Sequence, residues 1–89
     1  MLFACPSVYK KSIDPDVLDA HRVWLKQALA DGVIISAGRR DPAIGGLILL
    51  RADSLAAAEA IVAADPFSRE GVAEYQAIGF NPSMGDLKG

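Results

Sequence analysis

The stretch "VIISAGRRDPAIGGLILLRA" (Val33–Ala52) contains two strand-like runs joined by one turn. "VIISAG" (33–38) is rich in β-branched residues, and "LILLRA" (47–52) opens on a continuous apolar run suited to a strand covered on both faces. Between them, "RRDPAIGG" carries Asp41-Pro42 and Gly45-Gly46, which are turn signals. A helix is expected on each side of this pair. Upstream, Asp14 is a cap and Pro15 suits the first helical position; Gly32 stops the helix after about Asp31. Downstream, Ser54 caps "LAAAEAIVAAD". "LFACPSVY" (2–9) and "VAEYQAIGF" (72–80) add an outer strand at each end, with Pro6 marking a bulge or an unpaired stretch in the first. "PFSREG" supplies one helical turn before the last strand.

The order βαββαβ predicts an α+β fold, a ferredoxin-like sandwich with both helices on one face of a four-stranded antiparallel sheet. Right-handed crossovers give the strand order 4-1-3-2. One domain is expected over residues 1–89, with residues 82–89, "PSMGDLKG", as a surface tail. In this topology residues 10–21, 38–45 and 65–71 meet along one edge.

Composition narrows the function classes. Of 89 residues, 52 % are hydrophobic and 22 % charged, a globular balance with enough apolar surface to cover more than one core face. The net charge of −2 argues against a broad grip on nucleic acid or anionic membrane. No apolar run approaches the roughly 20 residues that cross a bilayer, and the start lacks a basic leader, so a cytoplasmic location is expected. The single cysteine, Cys5, forms no internal disulfide, and one His with one Cys supplies no ordinary zinc site, so no metal and no cofactor are expected. Ser7, Ser36 and Ser68 lack a nucleophile-elbow context, and Gly45-Gly46 lacks the spacing of a phosphate loop. Tyr9, Trp24, Phe67 and Tyr75 are core candidates.

The one histidine is the informative residue. On a helical projection Val17, Leu18, Trp24, Leu25, Ala28 and Leu29 form an apolar arc, and His21 falls inside it. A histidine there loses water and needs a partner. Leu55, Ala58, Ile61 and Val62 form the matching arc of the second helix. Asp65 points the same way if that helix reaches it, and an aspartate in a last helical turn is otherwise poorly placed against the dipole. His21 and Asp65 thus form a candidate dyad across 44 positions. The alternatives are a core histidine bonded to a backbone carbonyl, and an aspartate capping the turn that begins at Pro66. A capping role is compatible with the dyad, since a carboxylate has two oxygens.

The helix histidine, "SAGRRDPAIGGLILLRADS", "EAIVAADPFSREGVAEY" and "AIGFNP" resemble the YCII-related family over Met1 to Pro82, the strongest motif being "ADPF". The resemblance implies the same ferredoxin-like fold, pairing in the manner of dimeric α/β barrels, and an active site centred on His21 and Asp65. It also implies small ring or lactone-like substrates, with one member resembling a dehydrochlorinase of a hydroxylated aromatic. Many relatives carry Gly-Pro where this chain has Gly38-Arg39. Arg39 and Arg40 are therefore candidates for an anionic substrate group, or else solvated turn residues.

The resulting expectation is a cofactor-independent lyase or isomerase. His21 acts as general acid/base, Asp65 orients its ring and favours its protonated form, and Ser36, Gly38 and Arg39 contact a small, anionic or cyclic substrate. Ser7 is a further candidate for the pocket wall. The rival expectation is a non-catalytic ligand-binding or accessory subunit. A homodimer through the open sheet face is expected in either case, since successive apolar residues in "VIIS" and "LILL" point to both faces.

Overall fold

The computed structural model describes residues 1–87. Its elements run β1 (Leu2–Tyr9), α1 (Pro15–Ala30), β2 (Ile34–Arg39), β3 (Gly46–Arg51), α2 (Leu55–Ala63), α3 (Pro66–Arg69), β4 (Ala73–Tyr75) and β5 (Ile78–Phe80). The antiparallel sheet has the order β2-β3-β1-β4, with β5 also paired to β1. This is the α+β architecture and strand order expected from the sequence.

Local chemistry sets the helix limits. Asp14 accepts from the Asp16 N–H at 2.8 Å at the start of α1, and Gly32 follows its end with φ 77°, a conformation costly for any side chain. Ser54 accepts from the Ala57 N–H at 3.1 Å at the start of α2. Phe3 and Cys5 of β1, Ile34 of β2 and Ile48 and Leu50 of β3 pack with Ala28 of α1 and with Ala58 and Val62 of α2. Both helices therefore cover the same sheet face. Leu29 and Leu55, assigned to the buried arcs by projection, are instead exposed, each in a terminal turn and outside the buried clusters.

The final strand differs from expectation. It divides into β4, which pairs with Ser7–Tyr9, and β5, which pairs with Leu2–Ala4. Pro6 lies opposite the break. Its carbonyl accepts from the Gln76 N–H at 2.9 Å, but proline has no N–H to return, so the ladder loses a rung there.

A second departure is a bulge in β2. The register pairs Ile34 with Leu50 and then Ser36 with Leu49, skipping one residue. Simple alternation from Ile34 would keep Ser36 on the helix side; the extra residue moves it to the opposite face with Leu49.

That opposite face is apolar. Val8, Leu47, Ile78 and Phe80 are each 40–47 % exposed, and the register sets them around Ala4, Pro6 and Leu49. Of the tail, Pro82 is partly buried and residues 83–87 are exposed; Lys88 and Gly89 lie outside the described residues. Among the described residues no helix is long and apolar enough to cross a membrane.

Candidate active site

Proline disfavours the helical conformation in the residue before it, and Asp65 accordingly has φ −59° and ψ 130°. The second helix therefore ends at Ala63 and does not reach Asp65, correcting the helical projection. Asp65 instead caps α3, with Oδ1 accepting from the Phe67 N–H at 3.0 Å. The same extended conformation leaves its carboxylate fully buried beneath the helix layer.

A buried carboxylate is costly unless donors surround it. Here three do. Besides the Phe67 N–H, His21 Nδ1 lies 2.7 Å from Oδ1, and the Tyr75 hydroxyl donates to Oδ2 at 2.5 Å. The donors come from α3, α1 and β4, so the carboxylate ties three elements together. With Asp65 as acceptor, Nδ1 carries the proton of a neutral His21 ring, an assignment that follows from the hydrogen-bond network. Nε2 has no partner among the described residues.

The imidazole is fixed in its plane as well as at one nitrogen. It stacks on Phe67 with ring centroids 3.7 Å apart and planes within 4°, and Tyr9 meets the same Phe67 edge-on at 6.2 Å. Burial, the hydrogen bond to Asp65 and the negative charge beside it push the Tyr75 phenol above the ordinary tyrosine range. It therefore remains a protonated donor to Asp65 at neutral pH.

His21 borders an open cleft of about 270 Å³. That is close to the lower end of small-molecule pockets, roughly 300 Å³. Leu18, Leu25, Ile48 and Phe67 give it apolar walls, and Ser7, Arg22 and Arg39 give it polar ones; among the described residues no carboxylate lines it. Neither Arg22 nor Arg39 has an ion-pair partner among the described residues. Arg40 is spent otherwise, donating from Nη1 to the Ser7 carbonyl at 3.1 Å. Among the described residues no group of three or more His, Cys, Asp or Glu side chains could hold a metal ion.

The structure thus brings His21 and Asp65 together and sets Ser7, Gly38 and Arg39 around the cleft. Ser36 is not there. It lies on the outer sheet face, beside Leu47 and Leu49, because of the β2 bulge. Sequence reasoning treated Tyr75 and Phe67 as core and did not single out Arg22. The available signal for Arg22 was its position next to His21. Tyr75 had none beyond a place on a strand ending near the same edge.

The model of the YCII-related domain matches residues 1–81. No curated protein matches the sequence. Among solved structures, muconolactone isomerase superposes with a TM-score of 0.77 at 12 % identity, covering 100 % of this chain and 97 % of its own. The 5-chloro-2-hydroxyhydroquinone dehydrochlorinase of Burkholderia phenoliruptrix, in complex with 2,5-dihydroxybenzoquinone, superposes with a TM-score of 0.73 at 20 % identity, covering 91 % and 94 %. At these identities the structural likeness establishes the fold.

Replacing Tyr75 by Phe leaves Oδ2 of a buried carboxylate without its donor, so urea denaturation should show a loss of about 1–3 kcal/mol. There is also an alkaline signature. The Tyr75 phenol titrates higher in the folded chain than its ordinary value of 10.0. Its contribution is therefore complete below that pH and declines as pH rises above it. Tyr75→Phe should flatten the alkaline fall in stability, whereas an unchanged fall would deny the contact.

Proposed function

Since the chain belongs to the YCII-related family, we propose that it is a small cofactor-independent enzyme that moves protons on a small molecule, with His21 as general acid/base and Asp65 as the group that orients it. The observation that carries this reading is the two-sided environment of one ring. Nδ1 is held by a buried carboxylate, while Nε2 is unclaimed by any described residue, on a side chain that borders an open cleft. A base fixed at one nitrogen presents the other in a single orientation, which is what proton transfer to and from carbon requires.

In the proposed cycle Nε2 takes a proton from a substrate carbon, and the imidazolium keeps its Nδ1–H on Asp65. Returning the proton to another carbon completes an isomerisation; loss of a leaving group completes an elimination. The names of the two structural neighbours describe one reaction of each kind. We take a small ring compound as the substrate class, with Arg39 and Arg22 receiving an anionic group, because these guanidinium groups border the cleft without acidic partners. An open cleft beside the histidine supports an enzyme over a binding or accessory subunit, for which a filled site would be the natural form.

We further propose that two copies pair through the outer sheet face. A patch containing Val8, Leu47, Ile78 and Phe80 is large for a soluble monomer of this size, and the same face of a second copy covers it with two-fold symmetry.

Two experiments bear on these readings. A screen of lactones and hydroxylated or halogenated aromatics, with His21→Ala as the control, finds the reaction. On that substrate Asp65→Asn should cost about 10²- to 10⁴-fold in kcat. The melting temperature should change little, because the amide oxygen can still cap Phe67 and its nitrogen can donate to the Tyr75 oxygen. Parallel losses of turnover and stability would indicate a structural role. Sedimentation equilibrium at micromolar concentration should give twice the 9.4 kDa chain mass, and Leu47→Asp should release monomers. A stable wild-type monomer would rule out the pairing.

A further inference from the structure

Ser7 is the polar side chain of the cleft wall that the fold buries most completely, at 2 % exposure. It follows Phe3 and Cys5 on the helix-facing side of β1, where an apolar residue would pack without any polar group to satisfy. Its hydroxyl is only half used. Oγ accepts from the Gly46 N–H at 2.9 Å, but the acceptor facing its own proton is the Gly46 carbonyl at 3.5 Å. O–H···O bonds run from about 2.5 to 3.0 Å, so that contact is a long and weak one. The oxygen is thus satisfied as an acceptor, while its donor function is held only by a long contact that a closer acceptor can displace.

The surroundings hold this hydroxyl in place. A Cβ on Gly45 would lie 1.8 Å from the Ser7 carbonyl oxygen, so only glycine lets the β2–β3 turn come this close. Arg40 donates to that same carbonyl, and the Tyr9 N–H donates to the Ile44 carbonyl at 2.8 Å, which fastens the turn to β1 on both sides of Val8. The result is a fixed donor on the wall of the cleft that His21 also borders.

We propose that the Ser7 hydroxyl donates a hydrogen bond to a substrate oxygen, and that the substrate is therefore a small enolisable carbonyl compound whose acidic C–H lies next to that oxygen. The inference rests on the acid/base reading of His21. When the C–H bond breaks, the proton goes to His21 Nε2 and the electron pair moves onto the carbonyl oxygen, forming an enolate. The developing oxyanion strengthens the bond from Ser7, so the donor favours the transition state over the ground state. Reprotonation at carbon reverses the flow, and no oxidant or reductant enters. Among the described residues no carboxylate lines the cleft, so none of them sets a like charge beside the oxyanion.

The test uses 2,5-dihydroxybenzoquinone as the probe, a planar molecule whose ionised enol oxygens imitate an enolate, followed by its visible absorbance. Wild-type protein should bind it. Ser7→Ala should weaken binding about tenfold or more, as loss of a hydrogen bond to a charged oxygen does. Ser7→Cys keeps an acceptor for the Gly46 N–H and guards against misfolding; its weak donor should give an intermediate loss with a melting temperature near wild type. Failure of the wild type to bind, or equal binding by the wild type and both folded variants, overturns the proposal. The two readings fail separately: Ser7-dependent binding with no turnover of any enolisable carbonyl compound counts against the acid/base role of His21 alone, whereas turnover that Ser7→Ala leaves unchanged counts against the donor alone.

Discussion

Burying a carboxylate in a chain of 89 residues is tolerable only if the fold brings donors to it, and Asp65 receives one each from α1, α3 and β4. This requirement organises the site. It fixes where α1 sits over the sheet, because His21 must reach Oδ1. It fixes the approach of β4, because Tyr75 must reach Oδ2. The Pro66 that ends α2 also creates the cap geometry that turns the carboxylate inward. Structural and functional demands therefore converge on one side chain: the bonds that make its burial affordable are the same bonds that orient the imidazole.

The two faces of the sheet divide the remaining tasks. The face carrying Phe3, Cys5, Ile48 and Leu50 holds the helices, and the cleft opens where this face ends at Ser7 and Ile48. The Cys5 thiol is buried there and pushed up to about 11, so it is a packing group in the neutral range and not a nucleophile. The other face carries the exposed Val8, Leu47, Ile78 and Phe80, and neither α1 nor α2 packs on it. The site can thus form inside one chain, while the apolar composition beyond what one core needs is concentrated where a second copy could lie.

Much of this was legible in the sequence because the relevant signals are local. Asp14-Pro15, Ser54 and Gly32 mark helix ends by hydrogen bonding and backbone sterics that act within a few residues. The ββ unit around Gly45-Gly46 and its flanking helices select the topology, and topology brings His21 to Asp65. The features that escaped depend on long-range register. The bulge that turns Ser36 away from the cleft is a mismatch between β2 and β3, visible in neither strand alone. The division of the last strand follows from Pro6 standing opposite it on β1. Tyr75 looks like any half-buried strand aromatic until its partner, ten residues earlier, is known to face it. Asp65 fills both roles that the sequence allowed it, but not one per oxygen: Oδ1 alone caps α3 and holds His21, which leaves Oδ2 for Tyr75.

The central claim is that Asp65 holds the imidazole proton on Nδ1 and leaves Nε2 as the atom that exchanges protons with substrate. His21 is the only histidine, so its ring nitrogens can be observed without assignment by mutation. The most direct measurement is the pair of ¹⁵N ring shifts in uniformly labelled protein, recorded with the ring neutral. The account predicts a protonated, pyrrole-type Nδ1 coupled to a slowly exchanging downfield proton, and an unprotonated, pyridine-type Nε2. A ring with its proton on Nε2, or two tautomers in rapid exchange, would contradict it.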